Sequence, residues 1–487
     1  MSATAARPTT GPPLDPRRWL ALAVLALADF VVVLDATIVN IALPSIGRDL
    51  HASTGDLSWV ISAYVLAFGA LLLLGGRLAD LFGRRRLFIS GLIVFGLASL
   101  AGGFATSIGV LVGFRALQGM GAAALAPAAR SIVTVLFDEG PERSKALGIW
   151  AAVAGSGSVV GLILGGVLTS ALSWEWVLWV NVPVTVAAAA LAPRVIAESR
   201  ADAGARSVDL AGAVLVSGGL VAGLYALVNA NNAGWGSLQT VGLLALAAVL
   251  LALFVVVEAR VAAPLVPLGI LRNRQVRGAN VAMVLLTAAM VGTFFVLTLY
   301  QQEIMGSSAL ETGLLQLPLG LVLITVAGLA GAFTERVGAK PVLLGGLAVF
   351  TAGVAWLSRI PVHGSYLSDL LGPTLLIGGG LGLAFVALTI ASASGIAGGH
   401  AGIAGGLINM TQQVGGAIGL AIVTAVATGS LDTADPSAIG VDHGFQSALV
   451  VAGVIAALAG LITALVLPGP ARRRSASVAV PAPSHAA

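Results

Sequence analysis

The 487 residues include no cysteine, which excludes disulfides, thiolate metal sites and cysteine nucleophiles. Lysine occurs only as Lys145 and Lys340, and neither follows a glycine-rich loop, so a phosphate-gripping Walker lysine is missing and ATP hydrolysis by this chain is not expected. The five histidines (His51, His363, His400, His443 and His485) are scattered without metal-ligand spacing. No metal, cofactor or catalytic constellation is therefore expected, and the chain does not read as an enzyme. Charge is scarce as well. Asp, Glu, Lys and Arg make up 9% of the residues, whereas apolar types make up 58% and mean hydropathy is +1.00. The basic excess, 25 Lys and Arg against 21 Asp and Glu, sits in short clusters between apolar runs, which excludes a nucleic-acid surface.

What is abundant is the apolar run of roughly 20 residues, the length that crosses a bilayer. Runs near 18–43, 57–75, 87–105, 109–130, 145–171, 174–195, 208–228, 238–258, 278–301, 312–334, 340–360, 370–393, 402–428 and 444–467 predict fourteen transmembrane helices. The run after Arg17 and Arg18 is too long for a signal-peptide core and has no clear cleavage site. Placing the 25 bases in the alternating loops puts nearly all on one side, Arg130 included. Only Arg48 and Arg359 fall opposite, and Arg115 falls within a span. Both termini are thus expected in the cytoplasm of a multi-pass protein of the cell membrane.

A repeat divides the chain. Gly76-Arg-Leu-Ala-Asp80-Leu-Phe-Gly83-Arg84-Arg85 recurs as Gly331-Ala-Phe-Thr-Glu335-Arg-Val-Gly338-Ala-Lys340, with Gly331 following Gly76 by 255 residues. The expected architecture is an all-α integral membrane protein of two six-helix bundles, 18–195 and 278–467, with an inserted helix pair and linkers at 196–277. A tail at 1–17 and a basic tail at 468–487 complete it. The acid and bases of the repeated loop are expected to pair across the bundle interface or to face helix ends, forming a cytoplasmic gate of Gly76, Asp80, Gly83, Arg84, Arg85, Glu335, Gly338 and Lys340.

Ionisable groups inside spans are the strongest functional candidates, because burying one in hydrocarbon costs several kcal/mol unless it is paired or hydrated. At 1.5 Å per residue, Asp35 and Arg115 come to roughly 12 and 10 Å below the same surface, close enough to meet. Such a pair can exchange a proton for pairing or for substrate binding. Asp29 lies deeper and about 120° around the helix from Asp35. It aligns with Asn40, and that stripe is expected to line a central cavity as a second protonation or cation site. Trp59, Tyr64, Gln118, Gln302 and Gln413 are further expected cavity residues. Glu303 and Glu311 are expected to be wet loop residues. A run of small residues at Gly155, Gly157, Gly161, Gly165 and Gly166 predicts close helix packing.

Several of these segments carry a family resemblance. Gly76 to Arg86 resembles the loop motif of the major facilitator superfamily. Leu34-Asp35-Ala-Thr37-Ile-Val-Asn40-Ile-Ala-Leu-Pro44 resembles the first-helix signature of its fourteen-helix drug:proton antiporter branch, and Arg115-Ala-Leu-Gln118-Gly119-Met-Gly121 its fourth-helix motif. Trp174 to Pro183, Tyr300 to Pro318 and Asn409 to Gly416 are similar to further stretches, so the likeness covers residues 18–467. Gly155 to Gly166 resembles the antiporter motif, although Leu162 stands where the family usually has proline. The resemblance implies a monomeric, proton-coupled exporter of small, lipophilic or cationic drug-like molecules, with protons and lipid as its other partners. An importer or exporter of one metabolite, or a non-transporting receptor, are the alternatives.

Overall fold

A computed structural model describes residues 17–137, 141–200, 209–261, 264–266, 268–361, 364–393, 401–429 and 438–468. Most of the two expected tails lies outside the described residues. The described chain is helical throughout and has no strand, as backbone groups in lipid require. Fourteen long helices succeed one another: α1 (Arg18–Asp49), α2 (Thr54–Phe82), α3 (Arg84–Gly102), α4 (Ile108–Leu136), α5 (Pro141–Ala171), α6 (Trp176–Val195), α7 (Leu210–Ala233) and α8 (Leu238–Glu258). Then come α9 (Arg274–Leu299), α10 (Ala309–Val337), α11 (Ala339–Leu357), α12 (Leu371–Ala393), α13 (Ala401–Gly429) and α14 (Ala438–Val466). Twelve meet the length and hydropathy of a bilayer span; α5 and α7 contribute described apolar stretches at Ser156–Ala171 and Ala211–Leu227.

Most of these helices outrun their apolar cores. α2 starts at Thr54 because Ser53 and Asp56 form a capping box, the Ser53 hydroxyl accepting from the Asp56 N–H and the Asp56 carboxylate accepting from the Ser53 N–H. α10 starts with the same device at Ser308 and Glu311, 255 residues further on, so Glu311 caps a helix rather than standing free in a loop. α4 continues to Leu136, which takes Arg130 out of the loop and into the helix. Two π-helical turns, Tyr300–Ile304 and Tyr366–Leu370, extend α9 and precede α12.

The two halves repeat one packing scheme. α1 lies on α5, α2 on α4, α3 on α4 and on α6; likewise α9 lies on α13, α10 on α12, α11 on α12 and on α14. Gly91 lets α3 approach the backbone of α4, and Gly346, again 255 residues on, lets α11 approach α12. Gly83 and Gly338 both adopt positive φ, at 112° and 92°, between the paired helices of each repeated loop. Across the halves, α2 meets α13 and α5 meets α10, while α7 packs along both α2 and α13 and carries α8 on its far side. This is two six-helix bundles with an inserted pair. An even number of spans brings residues 17 and 468 to one face, called here the terminal face.

Among the described residues, two hydrogen bonds join the halves toward the opposite face. Gln302 on the π-turn donates to the Ile41 carbonyl of α1 at 2.9 Å, and the Leu310 N–H of α10 donates to the Ser170 hydroxyl of α5 at 3.1 Å. Gly313 of α10 lies directly on the Leu162 carbonyl of α5, which runs as unbroken helix through that position. Phe333 and Val337, in the last turns of α10, are exposed.

Candidate functional site

Five helices of the first half bring polar side chains to one point. Asp35 on α1 and Arg115 on α4 are 0% and 1% exposed and form an ion pair through Arg115 Nη1 and Asp35 Oδ2. The same Nη1 donates to Gln118 Oε1 at 2.9 Å, and Arg115 Nε donates to the Val60 carbonyl of α2 at 3.0 Å. The guanidinium stacks on Tyr64, 4.4 Å from the ring centre. Asp35 Oδ1 accepts from Gln118 Nε2 at 3.1 Å and from Asn181 Nδ2 of α6 at 2.8 Å. Ser99 on α3 accepts from Gln118 Nε2 at 2.7 Å. A buried charge pair is tolerable only when its remaining polar positions are satisfied in this way.

The residues expected to line the cavity lie in different places. Gln118 and Tyr64 are buried inside the charge network. Trp59 turns away to meet Tyr225 of the inserted α7, ring centres 5.3 Å apart. Gln302 closes the seam between the halves, and Gln413 backs onto Gly69 where α13 crosses α2. On α1, Asp29, Val33, Ala36 and Asn40 are more accessible than the buried face that carries Asp35, and Ala36 is exposed. Asp29 accepts no hydrogen bond among the described residues, but the charge of Arg130 bears on it, and Arg130 in turn stacks on Trp150 at 5.3 Å. Arg130 was missed because the apolar run stops at it.

The repeated loops are tied within each half. Asp80 accepts from Arg84 at 3.0 Å, one turn away on its own chain segment. Glu198, which follows α6, accepts from the N–H groups of Arg85 and Arg86 at 3.1 and 3.2 Å and so caps α3. Arg85 donates to the Ile196 carbonyl beyond the end of α6 at 3.1 Å. Lys340 does the same in the second half, donating to the carbonyls of Ala464 and Leu467 at 2.7 and 2.6 Å. Glu335 is exposed and forms no ion pair among the described residues, so the expected pairing across the interface is not present. Gly76 and Gly331 lie within α2 and α10 with room around them. Glu198 went unrecognised, its only sign being a lone acid after α6. Glu198→Ala is expected to cost about 1 kcal/mol through loss of the α3 cap, read as a lowered melting temperature of the purified protein.

On α5 the small residues do pack closely. A side chain at Gly157 would strike the Phe30 carbonyl of α1, one at Gly161 the Thr37 hydroxyl, and one at Gly165 the Ile38 carbonyl, while Gly166 faces Leu310 of α10. Gly155 lies on the same helix.

A two-bundle membrane fold with one enclosed carboxylate–guanidinium cluster defines a multi-pass transporter architecture. The chain belongs to the Major Facilitator Superfamily, whose model matches residues 25–420. It is 44% identical over 444 residues to the puromycin resistance protein of Streptomyces alboniger, covering 91% of this chain and 87% of that one. It is 42% identical over 450 residues to the cephamycin export protein of Amycolatopsis lactamdurans, covering 91% and 92%. Among solved structures, the POT family transporter PepTSo matches with a TM-score of 0.67 at 16% identity, covering 93% of this chain and 99% of that one. The inward-open xylose transporter XylE of E. coli matches at 0.63 and 12%, covering 94% and 98%. These two share the fold.

Proposed function

We propose that the chain exports small, drug-like molecules across the cytoplasmic membrane in exchange for protons, as a monomer with both termini in the cytoplasm. The carrying observation is Asp35: a fully buried carboxylate whose bonds to Arg115, Gln118 and Asn181 must be rearranged whenever it takes up a proton. In the second half α9 carries no acid, and α12 meets α11 through Gly380 on Gly346 as α4 meets α3 through Gly121 on Gly91, which sets Thr374 at the level of Arg115; no such charge pair stands there, and protons couple through the first half. The names of the relatives, puromycin resistance and cephamycin export, support drug-like cargo and outward direction.

In this reading 18–195 and 278–467 rock against each other, with 196–277 as the inserted pair and linkers. The terminal face is cytoplasmic, and the seam bonds at the opposite face define an outward-closed state. Cargo passes along the accessible α1 stripe of Asp29, Val33, Ala36 and Asn40, where Asp29 offers a second acid for a proton or an organic cation. The loop residues Asp80, Arg84, Arg85, Glu198 and Lys340 keep helix ends rigid while the halves move.

A screen of dyes, cationic biocides and antibiotics in everted vesicles, with and without a protonophore, tests it. Accumulation that collapses with the pH gradient is expected; accumulation indifferent to the protonophore would refute proton coupling. An importer is the second reading, favoured by Leu162 in place of the family's proline. Accumulation in right-side-out rather than everted vesicles would establish it.

A further inference from the structure

Asp35 is surrounded by donors alone: Arg115 Nη1, Gln118 Nε2 and Asn181 Nδ2. That shell fits the ionised acid, which accepts and cannot donate. Once protonated, Asp35 has an O–H to place, and two amide oxygens belong to the cluster. Gln118 Oε1 is held by Arg115. Asn181 Oδ1 has no partner, although Asn181 is 0% exposed. Buried amide oxygens are rarely left unbonded, so this one requires an explanation.

We propose that Asn181 is a positioning residue that follows the protonation state of Asp35. Its Nδ2–H bonds the carboxylate; after half a turn about the Cβ–Cγ bond, its Oδ1 accepts the carboxylic O–H. This rests on the proton-coupling reading above. In either orientation one end of the amide is bonded to Asp35 and the other is free, so neither protonation state is locked. A third group fixed to Oδ1 would hold the ionised form permanently. The proton is added to Asp35 Oδ1 from water and later returned to water, and Asn181 neither gains nor loses one. Among the described residues, the groups facing Asp35 are Arg115 and Gln118 from α4, Tyr64 from α2, and Ser99 from α3, with Asp29 further along α1. α5 meets α1 through glycines.

The test is an infrared titration of the purified protein in lipid vesicles, with the Asp35 carboxyl band assigned by its loss in Asp35→Asn. In Asn181→Leu both protonation states lose one bond. The titration midpoint should therefore stay within about 0.5 pH unit, while the C=O band of the protonated acid moves to higher wavenumber and proton-driven exchange slows at least about tenfold. A midpoint raised by about one unit with the band unmoved would mean that Asn181 merely donates to the carboxylate, and would overturn the proposal. Asn181→Thr keeps a hydroxyl that donates or accepts by rotating; it should regain at least about threefold of the lost rate, and no recovery would count against the switch. If wild-type protein shows no titrating Asp35 band, the proton-coupling reading itself fails. A titrating band with the donor-only pattern leaves that reading standing and removes only the role of Asn181.

Discussion

Asp35→Asn is expected to abolish proton-driven transport, to below about one-hundredth of the wild-type rate, while cargo still binds from the cytoplasmic face. The substitution removes the group that titrates and keeps its shape. Asparagine can still accept from Arg115 through Oδ1, but its Nδ2 now faces the donor Gln118, so that hydrogen bond gives way to donor–donor contact, while the Asn181 amide, turned over, can accept from the new N–H. It also leaves the Arg115 guanidinium as a buried cation without a counter-ion, which in isolated cases costs about 3–5 kcal/mol. Lower stability is thus expected beside lost transport, and the two must be separated. Thermal unfolding of the purified variant reports the first; cargo binding without a gradient reports whether the fold and cavity survive. Transport in the variant that retains its rate and pH dependence would remove Asp35 from the mechanism. The acid at Asp29 would then be the remaining candidate, and Asp29→Asn the variant to make.

Legibility in the sequence followed what each interaction depends on. Spans depend on composition over about 20 residues, so apolar runs displayed the fourteen-helix fold at once. Helix ends depend on single capping residues. The boxes at Ser53–Asp56 and Ser308–Glu311 lie outside the apolar runs, and for that reason α2 and α10 are longer than hydropathy indicates. The Asp35–Arg115 contact was foreseeable from depth, because two charges at one level of a thin bundle have few other partners. The neutral members of the cluster were not. Asn181 begins the main part of α6 at a depth like that of Arg115, and the same depth reasoning would have found it, but amides in spans also bond neighbouring helices with no functional part. Trp59 shows the remaining limit: which helix a side chain meets is set by rotation and packing, and the inserted α7 that captures it has no counterpart in the repeat.

Wedging the opposite-face seam should have the second large effect. Gly313 of α10 sits on the Leu162 carbonyl of α5, with no space for even a methyl group, and the obstructing atom is backbone that cannot rotate aside. Gly313→Leu therefore forces α5 and α10 apart in the outward-closed state but asks nothing of a state in which they have already separated. Overpacking of about 1–3 kcal/mol confined to one of two states shifts their ratio by roughly 5- to 150-fold. Because alternating access needs both states in every cycle, transport should fall at least about tenfold. The cysteine-free chain permits a direct reading, since a single thiol introduced at Leu310, beside Gly166, has no natural competitor. Its labelling by a membrane-impermeant reagent should rise at least about fivefold when Gly313→Leu is added. Lost transport with unchanged labelling would instead mean that the substitution damages the packing of both states. The α5–α10 crossing would then be a fixed joint, and opening would have to occur where α2 meets α13, at Gly69 and Gln413.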